Sequence, residues 1–207
     1  MARTIDQEKA KQKRREIADT AARLFATRGY ENTSVATIAR EVGISSASVF
    51  YYFRDKAALF RAAFEQDLAV AEEIAERARR AEDAFAAILD IVAELGTDAA
   101  EPGADGMVAE IVRRAGQDPE LVALVAQTAA ILREALAGLI ARGIREGTID
   151  ATLDPGATAS WLQAVIDGAY LNAVPGRNPE AELRRTARGY LLPQPMPDTP
   201  KGKNRDD

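Results

Sequence analysis

The stretch TSVATIAREVGISSASVFYYFRDK, Thr33 to Lys56, decides the fold. Val35, Ile38, Ala39 and Val42 follow the i, i+3, i+4, i+7 rule that gathers side chains on one face of a helix. Gly43 then offers the left-handed turn residue that other amino acids resist. A second helix starts at Ser45, a hydroxyl that can accept from an orphan backbone N–H. On it Val49, Phe50 and Phe53 share one stripe, leaving Ser46, Ser48, Tyr51 and Tyr52 to point elsewhere. Hydroxyls and phenols beside basic groups on so short a helix form a surface suited to a partner, and the pattern points to DNA. Tyr51 and Tyr52 read either as packing residues or as contacts, but three consecutive aromatics plus Phe53 cannot all face one small core.

Outward from this pair, either Thr33 or Ser34 caps the first helix and Asp55 caps a following one, in which Leu59, Phe60, Ala63, Phe64 and Leu68 supply the buried side. No proline or glycine interrupts it until about Ala81, so it connects head to body as one rod. Upstream, Ile17, Ala21, Leu24 and Phe25 predict a helix from about Asp6 to Thr27, ended by Gly29. Lys9, Lys11, Lys13, Arg14 and Arg15 crowd its start. They read either as a solvated helix start or as an arm along phosphates or in the minor groove.

Gly29-Tyr30, Thr33-Ser34-Val35, Ile38-Ala39, Gly43-Ile44-Ser45, Ser48 to Phe53, Lys56 and Leu59 together resemble the DNA-binding head of the TetR family of transcriptional regulators. The resemblance covers about the first quarter of the chain, through Phe64. It implies phosphate contacts from Thr33, Thr37, Tyr52 and Lys56. The second helix of the motif would enter the major groove, bringing Ser45, Ser46, Ala47 and Ser48, with Tyr51 on the next turn, to base edges. Serine can bond to several bases and Ala47 can meet a thymine methyl, but none has the bidentate reach of Arg or Asn. Specificity would therefore draw partly on DNA shape. Two positions depart from the family pattern, which commonly has tyrosine at Phe50 and histidine at Tyr51. Phe50 has no hydroxyl for a phosphate and shifts toward packing, whereas Tyr51 can still donate.

The body continues in helical periods. Asp83 through Leu95 reads as an amphipathic helix ended by Gly96, and TDAAEPGADG, 97–106, as a loop by composition. Asp105 opens a helix closed by Gly116. Asp118-Pro119 and Asp154-Pro155 each place a cap before a proline at the first helical position. The first pair opens a helix of about 40 Å to Glu146, stopped by Gly147, and the second opens one to residue 172. Asn178-Pro179 begins another with Leu183, Ala187, Tyr190 and Leu191, and the proline-rich tail 193–207 reads as disordered. The expected fold is all-α: a three-helix DNA-binding head, residues 1–54, and a helical body, 55–192.

The chain has no cysteine and no histidine, which removes disulfides, thiolate sites, the usual general base and most transition-metal ligands. No carboxylates stand at a motif spacing, so neither catalysis nor a cofactor or metal is expected. Residues 1–56 hold 11 basic against 7 acidic side chains although the whole chain is at −5, so a basic head sits on an acidic body. Charges interrupt the apolar runs and the N-terminus lacks a signal-peptide core, which predicts a cytoplasmic protein with no membrane partner.

Helices 119–146 and 155–172 are the candidate homodimer face, since Ala135, Gly138, Ala159, Ala164 and Gly168 would let helices approach closely. Both stripes also serve as intramolecular core. By resemblance, a dimer reads a palindromic operator in double-stranded DNA, and the body holds a small-molecule effector that changes the spacing of the heads. Polar groups among apolar ones include Asp90, Glu94, Thr128, Gln163 and Asp167. The best pocket candidates are Trp161 and Tyr170, each an apolar body with a polar handle, with Gln127 and Glu110 beside them. The alternative is a DNA-binding dimer without an effector, its body serving only dimerisation or protein docking.

Overall fold

The computed structural model describes residues 2–172, 174 and 176–193, with side chains from Gln7 onward. The tail expected to be disordered lies, from residue 194, outside the described residues. Among those described the fold is all-helical: α1 (Ala2–Arg28), α2 (Val35–Val42), α3 (Ser46–Tyr52), α4 (Lys56–Arg80), α5 (Ala84–Ala99), α6 (Ala104–Arg114), α7 (Pro119–Glu146), α8 (Pro155–Leu171) and α9 (Glu180–Leu191).

The helix ends follow from local chemistry. Ser34, Ser45, Asp55, Asp83, Asp118 and Asp154 each accept a backbone N–H with the side chain, which occupies donors the helix itself cannot satisfy. Gly43 and Gly147 end α2 and α7 in the left-handed conformation, at φ 74° and 75°. Two expectations fail. Gly96 does not end α5, which continues to Ala99. A Cβ at Gly96 would lie 2.6 Å from Leu183 Cδ1, so this glycine is a contact point for α9 rather than a stop. The expected loop accordingly shrinks to residues 100–103.

Two buried clusters organise the molecule. The head cluster joins Ile17, Ala21, Leu24 and Phe25 of α1, Ile38 and Ala39 of α2, Val49 of α3 and Leu59 and Phe60 of α4. Tyr30, Phe25 and Phe60 meet with ring centroids 5.3 Å apart in each pair. Each large side chain so buried contributes about 1.5–3 kcal/mol. The cluster does not stop at the head: Leu121 at the start of α7 is fully buried in it, with Met107 and Ile111 of α6 packed alongside. The second cluster gathers Ile74, Ile88, Val92, Leu136, Ile140, Leu162 and Ile166 in the body. The helix α4 serves both, Leu59 to Phe64 facing the head and Ala71 to Ala78 the body. By length and composition α7 could cross a membrane, but its Leu132, Leu136, Leu139 and Ile140 are committed to the body cluster.

Candidate nucleic-acid interface

The second and third helices present one outer surface because their inner faces are fixed. Val49 and Phe53, four residues apart, are buried and set the rotation of α3. Ala47, Ser48, Phe50 and Tyr51 then face outward. Tyr51 is 81% exposed and Phe50 51% exposed, large apolar areas for so short a helix. Phe50 is therefore not the packing residue its position on the stripe implied; with only two turns, the pair Val49 and Phe53 fills the space over α1 and Phe50 lies a third of a turn away. Tyr52 is half-buried and meets Tyr51 edge-on, centroids 5.0 Å apart.

The hydroxyls divide between structure and surface. Ser45 Oγ accepts the Ser48 N–H at 3.1 Å and stands 2.8 Å from Ser48 Oγ, so the cap of α3 also orients Ser48. Ser34 Oγ does the same for Thr37, with 3.1 and 2.9 Å. Ser46 and Thr37 are half-buried. Thr33 has no accessible surface, and its hydroxyl lies 2.9 Å from the Gly29 carbonyl and 3.2 Å from that of Leu24. It ties the α1–α2 turn and has no route to a phosphate, which removes it from the contact set.

Lys56, at the start of α4, is half-buried with its ammonium 4.0 Å from the centroid of the Tyr30 ring. The basic cluster of α1 is helical throughout rather than an extended arm. Lys11 pairs with Glu8, Lys13 with Glu16 and Arg14 with Glu65, the Arg14 guanidinium also lying 4.8 Å over Phe53. Arg28 and Arg40 are exposed and make no ion pair among the described residues. They are positive groups that motif matching passed over and that only exposure singles out.

Behind this surface the head is clamped to the body. Arg61 of α4 donates to both oxygens of Asp118 at 2.9 Å, and Arg114 of α6 reaches the same carboxylate at 3.4 Å. The guanidinium of Arg114 also lies 4.2 Å from the centroid of Tyr30. Burial raises the Tyr30 hydroxyl above its ordinary value, with Arg114 opposing. Gly103, at φ 89°, sits so near α1 that a Cβ there would be 2.4 Å from the Ala26 carbonyl oxygen.

The four expected pocket residues are not brought together. Trp161 is 54% exposed on the outer face of α8, beside Tyr190 of α9 at 6.5 Å, because the inner face of α8 belongs to Leu162 and Ile166. Glu110 is buried but paired with Arg113 at 2.6 Å, and its charge acts on Tyr30 at the head junction. Gln127 is exposed on α7. Tyr170 alone is half-buried among polar neighbours, and its hydroxyl is raised by burial and by the charges of Asp98, Asp67 and Asp167. Asp67 and Asp98 were missed. Asp67 is a poor helix former in mid-helix, a signal available from sequence, whereas Asp98 fell within the segment read as a loop. A separate open groove of about 520 Å³ runs between α4 and α7, lined by charges of both signs including Glu72, Arg79, Glu134 and Arg142.

Residues 17–63 match the model of bacterial regulatory proteins of the tetR family, and residues 95–192 match the C-terminal domain of BetI-type transcriptional repressors. The chain belongs to the TetR family. Its TetR-type helix-turn-helix head is a DNA-binding unit, and its relatives are transcriptional regulators rather than enzymes. The HTH-type transcriptional repressor Rv1474c of Mycobacterium tuberculosis is 27% identical over 81% of this chain and 86% of its own length. A transcriptional regulator from Saccharomonospora viridis, solved in complex with choline, shares the fold at a TM-score of 0.73, with 24% identity over 87% of this chain and 95% of that one. AibR, solved in complex with isovaleryl coenzyme A and operator DNA, shares it at 0.68, with 21% identity over 87% and 98%. The TetR resemblance of the first quarter thus extends through a body whose sequence alone was far less diagnostic.

Proposed function

We propose that this TetR-family protein is a homodimeric repressor that binds a palindromic operator and is released by a small-molecule effector in the body. The observation that carries the DNA reading is the exposed outer face of α3, with Tyr51 almost fully in solvent on a helix fixed by buried Val49 and Phe53. In this reading Ser46, Ala47, Ser48 and Tyr51 meet base edges, while Thr37, Tyr52 and Lys56 serve phosphates. Phe50 joins them as an apolar contact to thymine methyls or sugars. Ser45 contributes chiefly by capping α3.

The dimer forms through the outer face of α8 together with α9. Trp161 and Leu171 on α8 and Tyr190 on α9 are exposed apolar groups, and Ala164 and Gly168 between them allow close approach. The share of α7 is small, since its main stripe is in the core. Two-fold pairing of the heads then sets the operator symmetry. Effector response is supported by ligand-bound relatives of the same fold and by the linkage of body to head through Asp118, Arg114 and Tyr30. A ligand acts if it binds one head spacing better than the other.

Selection of DNA sequences by the purified protein, followed by binding titrations at several salt concentrations, tests the reading. Enrichment of a palindrome with a steep salt dependence is the expected result. Failure to enrich any site, or binding only as a monomer to half a site, would overturn it.

A further inference from the structure

The ring of Tyr30, in the turn between α1 and α2, carries two cations. The Lys56 ammonium at the start of α4 lies over it, 4.0 Å from the centroid, and the Arg114 guanidinium at the end of α6 lies over it at 4.2 Å. Each is attracted by the negative face of the ring, and both are well inside the roughly 6 Å over which that attraction acts. Because both distances run to one point, the two charges stand no more than about 8 Å apart. The ring cannot turn away from either. Tyr30 is buried, with Phe25 stacked on it and Phe60 meeting it edge-on. The side chain of Arg114 is mostly buried as well, so little solvent screens the repulsion between the cations.

What sets Lys56 apart is that its donors are unspent. Its basic neighbours along the chain are engaged, Arg54 with Asp55 and Arg61 with Asp118 and Glu120. The Lys56 ammonium makes no hydrogen bond or ion pair among the described residues, and its one recorded contact is the Tyr30 ring. A π face holds a cation in place without using its N–H groups, whereas a carboxylate would occupy them. Arg114 is the looser cation of the head–body clamp. Asp118 accepts two hydrogen bonds from Arg61 at 2.9 Å but only one from Arg114, at 3.4 Å, and Arg114 Nε is buried without a partner. The ring is therefore a large part of what seats Arg114.

Two like charges on one ring repel, and an anion bound to one relieves the other. A DNA phosphate at Lys56 favours Arg114 over the ring, and by reciprocity a seated Arg114 favours the phosphate. We infer that Tyr30 is a positioning residue for DNA binding: its ring holds the Lys56 ammonium ready for a phosphate and, by seating Arg114 beside it, makes that contact depend on the place of α6. The inference rests on Lys56 as a phosphate contact and goes beyond it, since Tyr30 acts only through Lys56. Withdrawal of Arg114 by a movement of α6 lowers DNA affinity without any rearrangement of α2 or α3.

The test is a set of anisotropy titrations of the full chain on DNA selected by the wild type, at several salt concentrations. Lys56→Gln should weaken binding about fivefold and lower the salt slope by about 1. Arg114→Gln, which keeps a donor for Asp118, should weaken binding about threefold in the wild type and have no further effect in Lys56→Gln. Tyr30→Leu should lose about as much affinity as Lys56→Gln, again with no further loss when the two are combined. Tyr30→Phe keeps the ring and should recover most of what Tyr30→Leu loses. A merely structural role for Tyr30, or a long-range effect of the Arg114 charge, would weaken binding by equal factors with and without Lys56. Such additivity, or a Tyr30→Phe as weak as Tyr30→Leu, would overturn the proposal. If Tyr30→Leu does not fold, the Arg114→Gln and Lys56→Gln cycle decides alone. If Lys56→Gln changes neither affinity nor salt slope, the inference fails while the DNA-binding function stands; if the wild type selects no DNA, both fail.

Discussion

Replacing Asp118 by alanine should cost more stability than removing any exposed charge in the molecule. Asp118 is 4% exposed, and three demands meet on its carboxylate: two hydrogen bonds from Arg61 at 2.9 Å, one from Arg114 at 3.4 Å, and the N–H of Leu121 at 3.1 Å as the cap of α7. Loss of the cap costs about 1 kcal/mol. Removal of one partner from a buried ion pair costs about 3–5 kcal/mol, because the remaining charge is left desolvated. Arg61 keeps an exposed partner in Glu120 at 3.0 Å, which places the sum near 4 kcal/mol. For a chain of this size that is a fall in Tm of about 8–16 °C.

Urea and thermal unfolding at pH 7 and one fixed protein concentration would measure it, with Asp118→Asn as the companion. Asparagine retains a cap acceptor without the charge and should fall between wild type and alanine. The pH dependence has a definite sign. Burial by itself would raise the Asp118 carboxyl, but the Leu121 N–H and the Arg61 guanidinium outweigh it and hold it below its ordinary 3.8. A carboxyl lowered in the folded state stabilises fully above its unfolded value, and the contribution disappears as pH falls through the folded one. The penalty of Asp118→Ala should therefore be complete at pH 7 and shrink only below about pH 4. A loss under about 1 kcal/mol at pH 7, with an unchanged denaturant slope, would refute the buried-clamp account.

Three other outcomes are expected. Tyr51→Ala should weaken operator binding by tenfold or more in an anisotropy titration with Tm within a few degrees, whereas Val49→Ala on the opposite face should lower stability by about 1–3 kcal/mol. Gly103→Ala should lower Tm and weaken the linkage between ligand and DNA, because the new methyl meets the Ala26 backbone rather than a movable side chain; equal Tm and equal linkage would count against the α1–α6 contact. Asp67, raised to about 6 when folded, stabilises the fold only while protonated. That contribution is complete below its unfolded value near 4 and is lost as pH rises through about 6, so ligand-free stability should fall over that interval in wild type and not in Asp67→Asn.

What could be read from the sequence was what local chemistry controls. Asp118-Pro119 and Asp154-Pro155 mark the starts of α7 and α8 because cap and proline act within one turn. Gly43 marks the end of α2 for the same reason. Phe50 misled because a two-turn helix gives too few apolar positions to fix its rotation, and the neighbour that does so, α1, is distant in sequence; Thr33 misled because its hydroxyl turns back to the Leu24 and Gly29 carbonyls at the end of α1. On α8 the periodicity supports two apolar faces, and only packing against α7 separates inward Leu162 from outward Trp161. The acidic surroundings of Tyr170 were illegible for a plainer reason. Asp67, Asp98 and Asp167 are about thirty and seventy residues apart along the chain, and only the fold brings their charges to bear on one tyrosine.

The contact at Gly103 bears on timing and play in the molecule. Where helices meet through long side chains, rotamers absorb small displacements, and a shift of half an ångström on one side can vanish before it reaches the other. At Gly103 the chain leading into α6 lies directly against the α1 backbone. A joint of that kind has almost no lash. Movement of α6 toward α1 must push the whole first helix, and with it the docking of α2 and α3, so the reading head would respond to displacements too small to register anywhere else in the body.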